Sequence, residues 1–374
     1  MKRLLFVVSE DWYFVSHRLH LAIAAIESGY TVALLSHTSN YRDLIESSGI
    51  EVIDWSLDRQ SRNLASEAKA IFGVVKALRY FQPDLVHAVA MKPVLYASIA
   101  CRVTGIQSRV FALGGLGFIF SSQKALARLL KPFIVTTFRW ALNGHKARLI
   151  LQNHDDEALL LNYQVIEKSR ISLIRGAGVD TDSFSPNKTT QNIPLIALSG
   201  RLLWDKGVGV FVKCARALSE KGVQGRFILV GEPDLHNPES IPVSQLQDWV
   251  DEGVIEWWGR RNDMPEVLRQ VAVVCLPTTY GEGLPKALLE AASCGLPIVT
   301  YDVPGCREIV IDGVNGFIVP PNDEVALFSA VETLLNNPEL RILLGKAGRE
   351  LVIKEFSQET VAAETMQVWD EVLN

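Results

Sequence analysis

Short, unbroken apolar runs alternate with stretches of helical period along most of the chain. Strand-like runs fall at 4–8, 31–35, 52–55, 85–89, 109–113 and 148–151, and helical patterns lie between them at 18–28, closed by Gly29, and at 64–81. The strand runs do not alternate apolar with polar, which is the pattern of strands covered by helices on both faces. Strand, helix, strand, repeated, predicts right-handed crossovers and a parallel sheet. The rhythm pauses over 178–192, a stretch rich in Asp, Ser, Thr, Asn and Pro that reads as a linker. It resumes with strand-like runs at 194–198, 226–230, 255–258, 271–276 and 297–301. The pattern therefore predicts an α/β protein of two doubly wound, Rossmann-like domains, 1–185 and 186–355, followed by a helical segment, 356–374. Two such domains facing each other leave a cleft at the carboxyl ends of both sheets, where open α/β folds bind ligands.

Composition changes little in this picture. The chain has 374 residues, 48% hydrophobic and 21% charged, enough for two domains with their own cores. The opening MKRLLFVVSE has only five apolar residues after two basic ones, so it reads as a first buried strand and not as a leader peptide. No apolar run approaches the roughly 18 residues of a membrane span. The five cysteines are scattered, which points to a reducing, cytoplasmic setting with neither a disulfide framework nor a zinc site. The histidines show no ligand spacing, so no metal is assigned.

Charge adds one feature. Although the net charge is −5, residues 85–154 contain no Asp or Glu and nine basic residues. Such asymmetry suggests a face that meets something anionic, with nucleic acid, a phosphorylated substrate and a membrane surface all in view.

The candidate chemistry sits just after predicted strands. In YGEGLPKALLE at 280–290, Pro285 suits the first helical position and 287–292 are good helix formers. Glu282 then lies in the loop and Glu290 in the helix. Amides around Gly283, Leu284 and Lys286, with the helix dipole, make an anion site. A bland reading also exists, in which Glu290 pairs with Lys286 four residues earlier. In SGRLLWDKG at 199–207, Arg201 and Lys206 bracket a loop that enters a helix, an arrangement suited to a diphosphate. WWGR at 257–260, with Arg260, offers packing for a nucleotide base or, equally, core tryptophans.

In the first half, DLVH ends the fourth strand run and places His87 at the cleft mouth, with even odds of a structural role. Gly114, Gly115 and Gly117 let backbone approach a ligand but do not form a dinucleotide fingerprint, so a dehydrogenase is excluded. Asp180 and Asp182 are read as turn caps before metal ligands.

Together these motifs resemble the family 4 retaining glycosyltransferases of GT-B fold. The resemblance runs from SGRLLWDKG through WGRRND at 258–263 to YGEGLPKALLE, DVPGCREIV at 302–310 and NGFIVP at 315–320. The family's two glutamates, eight positions apart, match Glu282 and Glu290. The resemblance implies that Arg201 and Lys206 hold the donor diphosphate, that Glu290 binds the ribose, and that Glu282 lies beside the transferred sugar. It implies amides of Gly283 and Leu284 on the sugar or phosphate, and a last helix, about 358–373, crossing back to the first domain.

The N-terminal half is similar to bacterial members that extend polyprenyl-diphosphate-linked sugars, N-acetylgalactosaminyltransferases among them. It departs from the broad pattern in three places: SEDWYFVSHR at 9–18 where many members have Gly-Gly, Gly114 near the point where many have histidine, and RGAGVD at 175–180. By that likeness His87 stands near the reacting hydroxyl and Arg18, with Gly114 and Gly115, on the acceptor side. A UDP-sugar donor with no cofactor or metal, a lipid-linked saccharide acceptor, and residence on the inner face of the cytoplasmic membrane without nucleic acid complete the expectation. Basic and apolar residues at 128–140 (Arg128, Lys131, Arg139, Trp140) would rest on anionic lipid. Two rivals share the fold: a UDP-N-acetylglucosamine 2-epimerase, for which no acid–base carboxylate set is visible, and a non-catalytic nucleotide-sugar sensor.

Overall fold

The computed structural model describes residues 1–57, 63–116, 125–144, 146–186, 193–234, 237–281 and 283–374, with residues 64, 125–131, 133 and 134 described through their backbone only. The chain forms two compact units, Met1–Gly178 with Gln358–Asn374, and Val179–Ser357.

In the first unit seven strands lie in the order β3-β2-β1-β4-β5-β6-β7, all parallel. They are β1 (Arg3–Glu10), β2 (Thr31–His37), β3 (Glu51–Asp54), β4 (Leu85–Val89), β5 (Arg109–Leu113), β6 (Ala147–Leu151) and β7 (Ile171–Leu173). Alternate side chains of the strands feed two separate cores. Val86 and Ala88 of β4 pack with the Leu64–Phe81 and Met91–Thr104 helices, whereas Leu85 and Val89 face the opposite layer. That second layer includes the Leu19–Glu27 helix and the Gln358–Leu373 helix, whose Trp369 is fully buried there. The last helix therefore completes the apolar cover of the first sheet, as the resemblance implied.

The second unit holds β8 (Leu195–Ser199), β9 (Arg226–Val230), β10 (Glu256–Trp257), β11 (Val273–Leu276), β12 (Ile298–Tyr301) and β13 (Gly316–Val319), in the order β10-β9-β8-β11-β12-β13 and again all parallel. The direction of strand addition reverses between β8 and β11, and in the first sheet between β1 and β4. Open α/β sheets bind ligands outside the carboxyl ends of the strands at such a reversal.

Two strands escape the apolar pattern. Ile171–Leu173 is three residues long and half-buried, and Gly316–Val319 opens on a glycine. Segment 9–18 also differs from the expected loop: β1 runs on to Glu10, and Asp11–His17 is already helical.

Candidate active site

The loops following β8, β9 and β11 are stitched together at the reversal point of the second sheet. Gly207 (φ +77°) ends the short turn Trp204–Lys206 and starts the Val208–Glu220 helix. A Cβ there would stand 2.0 Å from the Pro277 carbonyl oxygen, so only glycine allows this approach. The Asp205 carbonyl accepts from the Thr279 amide at 3.0 Å and from Thr278 Oγ1 at 3.1 Å. The Gly200 amide donates to the Val230 carbonyl at 2.9 Å, and the Leu202 amide to the Glu232 carbonyl at 3.0 Å. Arg201 and Lys206 are thus carried on a rigid turn docked against the segment 277–281.

Arg201 is exposed and pairs with Asp234 at 3.0 Å. Lys206 is half-buried. Arg260 is exposed; beside it Trp257 is half-buried and donates to the Gly231 carbonyl at 2.8 Å, while Trp258 donates to Glu256 at 2.9 Å. The two indoles therefore serve the packing of this loop.

The helix expected after the glutamate loop is Lys286–Ser293. Pro285 precedes it as an extended N-cap residue (φ −66°, ψ 114°), one position outside the place expected for it. Gly283 and Leu284 are buried in the loop, Leu284 within the core, so the first helical amides are those of Lys286 and Ala287. Glu282 lies outside the described residues. Glu290 is 9% exposed, and Lys286 Nζ stands 3.5 Å from its Oε1. Burial raises the Glu290 carboxyl above its ordinary range, and Lys286 draws it part of the way back. The bland pairing is present, and it holds a buried carboxylate one turn into the helix.

On the acceptor side two expectations are corrected. His87 is not at a strand end but the third of five residues in β4, which continues through Ala88 and Val89 paired with Phe111 and Ala112. Its ring is 1% exposed, stacked on Phe6 at 5.1 Å, and its Nδ1 accepts from Trp369 Nε1 at 3.0 Å. Burial, and then the charge of Arg18, push its pKa well below the usual value, so it is neutral and structural. Arg18 is 4% exposed and turned inward, because the helical segment before it places it at a helix junction facing the core. Neither residue presents a group to an acceptor at the surface.

Gly114 is exposed and Gly115 has φ +116°, so the turn after β5 depends on glycine. Tyr13 Oη and Gln152 Oε1 flank Gly114, at 3.5 and 3.6 Å from where its Cβ would be.

Two buried carboxylates that sequence reasoning missed hold these loops. Asp11 accepts from the amides of Trp12, Ser39 and Tyr41 and from Ser39 Oγ, binding the β2 exit to the β1 exit. Burial raises its pKa, but these hydrogen bonds outweigh that, and the net shift is downward. No local pattern marks it. Asp156 Oδ2 accepts from the Leu116 amide at 3.2 Å and Asn153 Nδ2 at 2.9 Å, anchoring the glycine turn to the His154–Asn162 helix. Its signal was legible as an Asn153 N-cap whose side chain accepts from the Asp156 amide.

Asp156 yields a pH prediction. Desolvation raises its pKa from 3.8 to about 6, with Asn153 and Leu116 opposing. The folded state then holds the proton more tightly than the unfolded state, so this group's contribution falls as pH rises from about 4 to about 6. Asp156→Asn keeps an acceptor for both donors and removes the buried charge. It is expected to gain roughly 1–3 kcal/mol over the wild type at pH 8 and little at pH 4. Urea melts at the two pH values check this, and a variant less stable than wild type at pH 8 refutes it.

The basic stretch is only partly available to a ligand. Arg139 donates to the carbonyls of Tyr163 and Gln164, Arg102 to those of Trp140 and Asn143, and Arg109 is buried. The side chains of Arg128 and Lys131 lie outside the described residues. Asp180 caps a turn, accepting from the Asp182 and Ser183 amides and from Ser183 Oγ. Among the described residues no helix is long and apolar enough to cross a membrane.

Comparison with known proteins places this geometry. Residues 3–154 match the glycosyl transferase 4-like family model, and residues 193–337 match that of the glycosyl transferases group 1. The chain is 25% identical over 350 residues to the Campylobacter jejuni N,N'-diacetylbacillosaminyl-diphospho-undecaprenol alpha-1,3-N-acetylgalactosaminyltransferase, covering 90% of this chain and 89% of that one. It is 25% identical over 308 residues to the Escherichia coli UDP-Gal:alpha-D-GlcNAc-diphosphoundecaprenol alpha-1,3-galactosyltransferase, covering 79% and 77%. The Anabaena protein HepE, solved in complex with UDP, superposes with a TM-score of 0.77 at 18% identity over 99% of this chain and 100% of its own. Both family models are of transferases, which sets the epimerase aside. With one transferase family matched on each unit and the GT-B topology in both sheets, the chain belongs to the group 1, 4-like glycosyltransferases.

Proposed function

We propose that this glycosyltransferase moves an N-acetylhexosamine from a UDP-sugar to a lipid-diphosphate-linked saccharide, in the assembly of a bacterial surface glycan. The transfer proceeds with retention of configuration and without a metal. One observation carries the donor half: at the reversal point of the second sheet, Arg201 and Lys206 ride on a turn locked to the segment that leads into the Lys286–Ser293 helix. Two cations and a helix N-terminus are the groups that stabilise charge building on a leaving diphosphate. Buried Glu290, four residues into that helix, takes the ribose hydroxyls. We assign Glu282 and the amides of Gly283 and Leu284 to the sugar, and Arg260 to the base.

In the reaction the bond from the anomeric carbon to the phosphate oxygen breaks. The acceptor oxygen bonds that carbon on the same face, and the departing phosphate oxygen takes the acceptor's proton. The acceptor class is supported by the names of the C. jejuni and E. coli relatives, both of which act on diphospho-undecaprenol-linked sugars. The preference for UDP is supported by the same E. coli name and by the nucleotide in the HepE complex. With a lipid-linked acceptor the enzyme works at the inner face of the cytoplasmic membrane, where anionic lipid attracts basic side chains.

A panel of UDP- and GDP-sugars, offered with lipid-diphosphate saccharides in chelator and followed by product mass, tests the reading. Release of UDP with a mass gain of one N-acetylhexosamine is expected; no transfer from any UDP-sugar overturns it. Flotation with anionic vesicles at low salt tests the membrane arm, and absence of binding removes it. For the ribose assignment, Glu290→Gln is expected to weaken UDP binding about tenfold or more in calorimetry. Unchanged UDP affinity would remove Glu290 from the nucleotide site.

A further inference from the structure

A small cavity lies inside the first unit, between the face of the first sheet and the helices Leu19–Glu27 and Gln358–Leu373. Its volume is about 10 Å³, room for a single water-sized particle, and Arg18, Leu21, His87, Ala112, Ile150, Ile174, Gly176, Val361 and Thr365 line it. Two of these carry buried nitrogens with no acceptor among the described residues: Arg18 Nε and His87 Nε2.

The proton on His87 follows from its neighbour. An indole N–H only donates, so the 3.0 Å contact from Trp369 Nε1 makes His87 Nδ1 the bare acceptor. The neutral ring then carries its hydrogen on Nε2. Both unpartnered nitrogens are therefore donors. The remaining polar side chain of the lining, Thr365, already donates its hydroxyl to the Val361 carbonyl at 2.7 Å.

Charge points the same way. Arg18 is 4% exposed, and its Nη1 donates to the His17 carbonyl at 3.2 Å. No carboxylate pairs with it among the described residues. A buried cation without a counter-charge is costly, and a site that offers donors and positive charge suits an anion better than water, which must also donate its own hydrogens.

We infer that this cavity binds one small monovalent anion of halide size, held by Arg18 Nε–H and His87 Nε2–H. The anion neutralises Arg18 and fixes the His87 tautomer that receives Trp369. It thereby ties the Gln358–Leu373 helix to the sheet. The site is internal to the first unit and independent of the donor chemistry proposed above.

Crystals grown or soaked in bromide are expected to show an anomalous peak between Arg18 Nε and His87 Nε2. Water density there, with no anomalous signal, overturns the inference. In solution, chloride or bromide is expected to raise Tm by roughly 2–4 °C in a saturable way relative to gluconate at equal ionic strength. Arg18→Gln is expected to abolish that difference. If the variant does not fold, the wild-type comparison decides: equal Tm in halide and gluconate refutes the site.

Discussion

Replacing Lys206 by alanine is expected to lower kcat about 10²- to 10³-fold while the KM for the donor changes less than about fivefold. The reason lies in where charge develops. The diphosphate is already anionic in the bound donor, but its bridging oxygen gains a further share of charge only as the bond to the sugar breaks. A cation aimed at that oxygen acts more strongly on the transition state than on the ground state, and only such a difference raises kcat. Lys206 is suited to this because its turn cannot drift. The Lys206 amide donates to the Leu203 carbonyl at 3.2 Å, the Thr279 amide grips the Asp205 carbonyl at 3.0 Å, and Gly207 is wedged on Pro277. Preorganisation of this kind avoids reorganisation at the moment of reaction. Single-turnover rates and donor KM, measured together, decide the matter. A variant whose KM rises while kcat stays within about fivefold of wild type would make Lys206 a ground-state binder only.

A large structural effect is expected at Gly207. Gly207→Ala must place a methyl group 2.0 Å from the Pro277 carbonyl oxygen, at φ +77°, where L-residues are strained. Backbone on both sides leaves no flexible side chain to yield, so either the turn or the segment after β11 has to move. Gly222 is the matched control: its φ is +75° and nothing lies within 4 Å of its Cβ position. Gly222→Ala is expected to cost about 1 kcal/mol, the strain alone. Gly207→Ala is expected to cost about 3 kcal/mol or more and to remove most transfer activity with it. Chemical denaturation of the two variants side by side separates the terms, and equal losses would mean that the contact with Pro277 is dispensable.

These two expectations concern residues within one nine-residue motif, and that motif shows what kind of site is legible in a sequence. Arg201, Lys206 and Gly207 lie in one short loop that follows an apolar strand and enters a helix; the chain itself brings them together. The same holds for Glu290 and Lys286, one helical turn apart. Local spacing encodes local geometry, so the residues proposed for the donor site could be singled out before any tertiary structure. The parallel order of the strands was equally visible, because unbroken apolar runs separated by helices admit few other arrangements. So was the Leu64–Phe81 helix, bounded by an Asn63 cap and by Gln82 in the left-handed conformation.

What only the tertiary structure decided is which face a polar residue presents and what it meets there. His87 and Arg18 carry the same letters whether they face a substrate or a core. It is the continuation of β4 through Val89, and the arrival of Trp369 from 282 positions away, that make His87 an interior acceptor. Asp11 and Asp156 illustrate the converse: each is an acid in the first turn of a helix, yet each is buried and holds a neighbouring loop in place. The chain alone determined most of the strands, their parallel arrangement and the chemistry clustered within single loops, since those depend on short-range sterics and periodicity. The roles of His87, Arg18, Asp11 and Asp156 depended on contacts made across the fold, because burial and hydrogen-bond partners are set by residues far apart in sequence.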